Sequence, residues 1–547
     1  MNAIFSLTAR WIHQSLFFAV AVIPAVVTAT DFSKELATKP VELPGFIVKA
    51  DSPWRYAQCG PFEVLSRCRD DETTAKWFSE FVREVRVMRC LFPEGFLPEE
   101  MPALAIVHED SQIAKTTENW AGAVLSDGSD YDLPVYFINI EWFGRKSVEI
   151  SEDRGYMLRS TVKYMKWLLD CRKPRPPGWL AVGLEKILEP RVFCKDSVRT
   201  WMWTIKWKGQ RFENNMIIEV EIDVQRMLEM WDALPPTASD IPKELKDQAA
   251  LFIVWALRDT QYTPGFWKFV ERSSKEKLTE SLFQECFGLN YAQATLRARK
   301  QLVKWIIAER NAADNSKYVL ASVRSPVQVP EFEVRSARST EIGRIVGEWR
   351  RLVSALETTP ESRNAALEAT RLSMLRNVQP PRADAAFLAA LGLCEKDAGR
   401  DDEALEHLGA AVRAGVQRPR ACLDYARLMY DRELRGLSGA DAKFSPEQTR
   451  TLLESLLAAR KQAPALPGVY ALMTDIWSRS SEKPSVADLA IVQEGTRLFI
   501  RETPFVLSAI RLHHALGFDA EAAEIANRWL KTPDGRSREE QLKTLIR

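Results

Sequence analysis

The chain has 547 residues, too long for one ordinary core, so roughly two to four domains are expected. It is 46% hydrophobic and 27% charged, a folded-protein composition, and 75 Lys+Arg nearly balance 74 Asp+Glu. The formal net charge of +1 removes the electrostatic reason to expect nucleic acid or an anionic membrane surface as partner.

The first segment stands apart. Arg10 and His13 precede the apolar run SLFFAVAVIPAVVTA, which closes on Val27-Thr28-Ala29. A basic flank, a short apolar stretch and small residues before the break read as a secretory signal peptide over residues 1–29. A permanent anchor would need about 20 apolar residues, and Pro24 interrupts this shorter run. The expectation is an exported chain, periplasmic or extracellular, with no membrane span once the signal is removed.

Residues 30–310 mix strands and helices and are expected to form an α+β domain with a helical tail. PGFIVKAD, PFEVLSRC and PALAIVHED are strand-like, and AVLSDGSDYDLPVYFINIEW suggests a hairpin around Ser-Asp-Gly-Ser. Residues 72–91 place Trp77, Phe78, Phe81, Val82 and Val85 at helical spacing, the mark of an amphipathic helix. The eight cysteines form no C-x-x-C pair; Cys59 and Cys68 are placed to pair in an oxidising compartment, or to remain buried thiols.

Residues 311–337, polar and proline-bearing, read as a linker or an extended crossing segment. Beyond it, residues 338–547 are helix after helix. Pro381, Pro419, Pro467 and Pro504 fall near the starts of successive helix pairs, 38, 48 and 37 residues apart. Gly399-Arg-Asp-Asp-Glu403-Ala404 and Gly517-Phe-Asp-Ala-Glu521-Ala522 share one spacing, a glycine for the turn and an alanine for close helix approach. Gly392, Leu408 and Ala411 add a small, bulky, small pattern in the first unit. This half resembles the tetratricopeptide repeat family over about residues 339–535, an ordinary helical bundle being the alternative. The resemblance implies a concave surface for a protein or peptide ligand.

The chemistry turns on residues 159–188, RSTVKYMKWLLDCRKPRPPGWLAVGLEKIL, laid out as two helices joined by a proline-rich turn. Trp179-Leu180-Ala181-Val182-Gly183-Leu184 is similar to the phrase opening the second active-site helix of gluzincin-type zinc peptidases. Together with residues 249–302, the order and spacing resemble bacterial exported gluzincin-like proteins of the peptidase-MA type, many of which carry C-terminal tetratricopeptide repeats. That resemblance implies a zinc held by His-Glu-x-x-His and a carboxylate from the second helix. Here Arg159-Ser160-Thr161-Val162-Lys163 occupies the first motif, and Val182 stands where the carboxylate belongs.

None of the five histidines, His13, His108, His407, His513 and His514, lies in this window. His108 is expected at a strand end, and His513-His514 as solvated helix residues. Zinc chemistry is therefore not expected, nor any other cofactor. Arg159 and Lys163 are expected either to pair with Glu185 and Glu189 as an ionic clip replacing the metal, or to face solvent.

Ser160-Thr161-Val162-Lys163 also spells S-x-x-K, but the K-T-G triplet of serine β-lactamases is missing. No nucleophile elbow, Walker loop or dinucleotide fingerprint occurs. The expected function is a non-catalytic scaffold that binds protein through its repeats, the alternative being a hydrolase with a non-zinc site.

Overall fold

The computed structural model describes residues 54–108, 132–139, 159–188, 215–233, 241–311 and 327–535 with short breaks, plus strands within 42–47, 155–156, 192–200, 208–212 and 318–322. Strands β1 (Glu42–Leu43) and β2 (Phe46–Ile47) form a small antiparallel pair. The central sheet has the order β13-β3-β4-β5-β6. Its members are β3 (Arg55–Cys59), β4 (Phe62–Ser66), β5 (Ala103–His108), β6 (Val135–Asn139) and β13 (Arg335–Ser336).

Strands β3 and β4 are a tight antiparallel hairpin whose turn uses Gly60 at φ +58°, a conformation that a Cβ would strain. Strands β4, β5 and β6 run parallel. A parallel pair needs a crossover, and α1 (Asp71–Arg89) supplies the one between β4 and β5. Asp70 caps it by accepting from the Thr73 amide at 2.6 Å, and Arg86 and Arg89 sit in its last turn, where the helix dipole favours cations. Trp77, Phe78, Phe81, Val82 and Val85 are all buried, as their spacing predicts.

Every residue of β5 is buried. Ala103, Ala105 and Val107 pack on the α1 side, while Leu104 and Ile106 face the other way, the alternation a pleated strand imposes. The second face is covered from far along the chain. Helix α9 (Ser339–Ser354), the first of the helical half, lays Ile345, Val346, Trp349, Leu352 and Val353 on Tyr56, Leu65, Leu104, Ile106 and Val135.

The segment 311–337 is extended and paired. Strand β12 (Tyr318–Ser322) joins a second sheet, β12-β9-β8-β7, with β7 (Gly155–Tyr156), β8 (Val192–Cys194) and β9 (Ser197–Thr200). Further on, the Phe332 ring packs edge-on to Phe78 at 5.0 Å, and Arg86 donates to the Gln328 carbonyl at 2.8 Å. Strand β13 then pairs with β3. A segment expected to link or cross thus supplies edge strands to two sheets. The hairpin expected around Ser-Asp-Gly-Ser has its first strand and turn outside the described residues; the strand after the turn, β6, pairs with β5. Strands β10 (Lys208–Phe212) and β11 (Asn215–Glu219) form a separate hairpin.

The first half also contains α2 (Arg159–Cys171), α3 (Gly178–Leu188), α4 (Val224–Ala233), α5 (Lys243–Arg258), α6 (Thr263–Ser273), α7 (Glu280–Phe287) and α8 (Tyr291–Asn311). Phe252, Phe266, Phe269, Phe283 and Phe287 meet in an aromatic cluster with centroids 4.4–6.2 Å apart.

The second half is a helical-repeat array. Its pairs are α9 with α10 (Pro360–Asn377), α11 (Ala385–Asp397) with α12 (Asp401–Arg413), and α13 (Pro419–Gly436) with α14 (Pro446–Arg460). Then come α15 (Pro467–Ser478) with α16 (Val486–Leu498) and α17 (Thr503–Ala515) with α18 (Asp519–Leu530). Each helix packs on its pair mate, and the first helix of every pair packs on the first helix of the next. Pro419, Pro467 and Pro504 sit in the first turns of α13, α15 and α17, where the missing amide costs nothing. Pro381 lies outside the described residues.

Gly399 (φ +73°) and Gly517 (φ +82°) make the turns inside their pairs, and Ala404 and Ala522 are buried beyond them. A Cβ on Gly392 would stand 2.7 Å from Leu408 Cγ, so this glycine sets how closely α11 and α12 approach. Among the described residues, no helix is long and apolar enough to cross a membrane.

Charges as well as apolar groups join the halves. Arg418, at the start of α13, donates to both carboxylate oxygens of Glu348 on α9, at 3.1 and 2.7 Å. Burial would raise the Glu348 pKa, but Arg351 and Arg418 outweigh it and hold the carboxyl down at about 2. Arg344 on α9 pairs with Glu63 on β4, which also accepts from the Tyr56 hydroxyl at 2.6 Å.

Truncating Trp349 to Ala is expected to cost about 3–5 kcal/mol, because it opens the core shared by sheet and array. Denaturant unfolding followed by circular dichroism and tryptophan fluorescence should show the loss in both signals together. A carboxyl depressed when folded stabilises above its ordinary pKa and loses that contribution as pH falls towards the folded value. The intact chain should therefore lose stability between about pH 4.5 and pH 2. Glu348→Gln, weaker at neutral pH, should show a flatter acid profile in the same titration.

Candidate functional site

Helices α2 and α3, where the sequence led to the expectation of a peptidase-like pair, pack against each other. Helix α2 presents Val162, Met165, Lys166 and Leu169 to α3, and α3 answers with Ala181, Leu184, Glu185 and Leu188. Both sets follow the i, i+3, i+4, i+7 stripe of one helical face. The space left between them is about 10 Å³, room for one water at most.

An ion pair joins the two helices. Glu185 pairs with Lys166 at 3.1 Å. Lys163 is one residue past Val162, which rotates it about 100° off the facing stripe. The side chains of Arg159 and Glu189 lie outside the described residues. Val182 is half-buried and also stands off the stripe.

Other positions of the motif are tied into the core. Thr161 donates to Glu84 at 2.9 Å, a buried bond between α2 and α1. Ser160 is buried too, and its hydroxyl has no hydrogen-bond partner among the described residues. The Tyr164 hydroxyl donates to the Met101 carbonyl and accepts from the Met101 amide, each at 2.9 Å. Burial pushes the tyrosine pKa well above its ordinary range.

The tryptophan phrase has a packing role here. Trp179 is enclosed by Phe252, Phe266 and Phe269 at centroid distances of 5.5, 5.9 and 6.1 Å. A Cβ on Gly183 would fall 2.5 Å from Ile253 Cδ1 and 3.0 Å from the Ala249 backbone, so glycine lets α3 cross α5 closely. In the turn, Arg172 donates to the carbonyls of Phe96 (2.9 Å) and Pro174 (3.0 Å), pairs with Glu271, and lies over the Phe96 ring.

No group of three or more His, Cys, Asp or Glu among the described residues is placed to hold a metal ion. His108 ends β5 and is buried. His407 is half-buried on α12 against Glu395, 2.6 Å away. The expectation of two solvated histidines at 513–514 is corrected for one of them. His513 is fully buried, its Nδ1 2.8 Å from the Ala509 carbonyl, while His514 is exposed beside Asp519. Adjacent helix residues point about 100° apart, so the apolar side of α17 takes one ring and solvent the other. Cys59 and Cys68 are both buried free thiols.

An open groove where α18 meets α6 and α7 is lined by Arg272, Glu276, Glu285 and Lys531. Its charges are spent on each other: Arg272 donates to Glu276 at 2.8 and 2.7 Å and to Glu285 at 2.6 Å.

The array offers a more extended surface. Its first helices are tied to one another by polar side chains. Lys396 on α11 pairs with Asp424 on α13 at 3.1 Å, and the Tyr430 hydroxyl of α13 donates to Asp475 on α15. Burial would raise the Asp424 pKa, but Arg420 and Lys396 outweigh it and hold the carboxyl below its usual range. Asp475 remains 44% exposed, and Arg511 on α17 is exposed on the next first helix. Sequence reasoning pointed to the repeats as the binding module without naming these residues; their signal was charge on helices otherwise dominated by core positions.

The chain matches no protein-family description and no curated protein sequence. Three chains among solved structures do match, one of them the crystal structure of MamA protein. That likeness spans 37% of this chain and 94% of the other, at 12% identity and a TM-score of 0.25. A TM-score that low leaves the fold to be argued from this chain's own helices.

Replacing Thr161 with Val is expected to cost about 1–3 kcal/mol, since it removes a donor from a buried carboxylate. Lys166→Met, which touches only the part-exposed pair with Glu185, should change stability by no more than about 1 kcal/mol. Thermal melts of the two variants side by side test that ranking.

Proposed function

We propose that this chain is an exported, non-catalytic scaffold, a peptidase-like α+β half fused to tetratricopeptide-like repeats that bind another protein. The observation carrying the reading is the unbroken succession of helix pairs whose first helices stack on one another. Stacked pairs expose one continuous face suited to an extended peptide or a partner helix. Asp475 and Arg511 place polar side chains on first helices of consecutive pairs, with the part-exposed Arg427 one pair earlier.

The non-catalytic part of the proposal is supported by the helix pair. Apolar stripes fill the space between α2 and α3, and the Lys166–Glu185 pair bridges them. Export is supported by the basic flank, apolar run and small residues of positions 1–29.

Position-dependent photocrosslinking tests the scaffold. A crosslinking residue at 475 or 511 in the full chain should capture one discrete protein from an envelope fraction. The same residue at Glu406, exposed on α12, should not. Adducts that form equally at all three positions, or at none, would remove the assigned surface. Stoichiometric zinc in the purified chain, or peptide hydrolysis abolished by a chelator, would overturn the non-catalytic reading.

A further inference from the structure

Four stretches, at residues 132, 348–351, 397 and 418–420, bring formal charges together largely out of solvent where the sheet meets the array. Arg418 uses its fork on Glu348, and its Nε donates to Asp132, just ahead of β6, at 3.4 Å. The other Asp132 oxygen accepts from the Arg420 backbone amide at 2.9 Å. Arg351 donates to Glu348 at 2.6 Å and to Asp397, at the end of α11, at 2.7 Å. The side chain of Glu348 is 0% exposed and that of Arg418 is 10% exposed.

Taking such groups out of water costs several kcal/mol each, so a network of this kind adds little net stability over apolar packing. It adds intolerance of misplacement. The apolar contact between α9 and the sheet is non-directional and survives small slides. The bidentate Arg418–Glu348 contact is directional. A shift of α13 relative to α9 or β6 leaves at least one buried charge without its partner, the expensive outcome.

We propose that Arg418 is an orientation lock: through Glu348 and Asp132 it holds the helical array at one angle on the α+β half. The array does not swing about the 327–337 segment, and whatever it binds is held at a fixed position relative to the sheet. The lock stands independently of what the array binds.

The test uses the full chain, with hydrogen exchange read by mass spectrometry and small-angle scattering. Arg418→Met should speed amide exchange in α9 at least about tenfold, leave α15–α18 near wild type, and enlarge the scattering radius. The triple variant Asp132→Asn, Glu348→Gln, Arg418→Met leaves no orphaned charge. It should melt closer to wild type than the single variant yet keep the faster α9 exchange and the larger radius. Wild-type exchange and scattering in either folded variant would overturn the lock. If Arg418→Met does not fold, the triple variant decides alone. If neither folds, the network is a folding requirement and the orientation role is wrong.

Discussion

A parallel strand buried on both faces needs two covers, and that need organises this molecule. Strand β5 carries apolar side chains on both sides, with α1 on one. The other would be an open apolar face without α9, whose residues begin more than two hundred positions later. The helix that opens the repeat array is therefore also the third layer of the α+β half. Because α9 packs on α10 and α11 as well, the array's first pair receives on its outer side the cover that a terminal repeat otherwise lacks.

The path of the chain follows from that sharing. Between α8 and α9 the backbone adds an edge strand to each of two sheets, then delivers α9 to the far face of the central one. Extended segments with unpaired amides seek sheet edges, and two edges stand along this route. Contacts continue further into the array: Lys173 in the proline-rich turn reaches the Phe499 ring between α16 and α17, at 5.2 Å. The halves touch at several stations instead of hanging from a tether.

The helix pair α2–α3 is held together by packing and by hydrogen bonds to the core around it. Two helices and a proline turn carry the tryptophan phrase, and several of its positions serve packing or local hydrogen bonds. Trp179 fills an aromatic box, Gly183 permits a close crossing, and Thr161 satisfies a buried carboxylate. The ionic bridge between the helices falls at Lys166 and Glu185 because those residues share the facing stripes.

By itself, the sequence determined the local elements and their partition into a mixed half and a helical half. The spacing of Trp77, Phe78 and Phe81 set the helix between β4 and β5, and Gly399 and Gly517 set the turns inside two repeat pairs. These features were legible because helical period, turn conformation and capping depend on residues a few positions apart. Only the tertiary structure decided which cation meets Glu185, that His513 is enclosed while His514 is not, and that Arg418 joins Glu348 and Asp132. Such pairings depend on how finished elements rotate and dock, and rotation by one residue turns a helical side chain by about 100°. Nothing local in the sequence carries that angle; the two-sided burial of one strand supplies it.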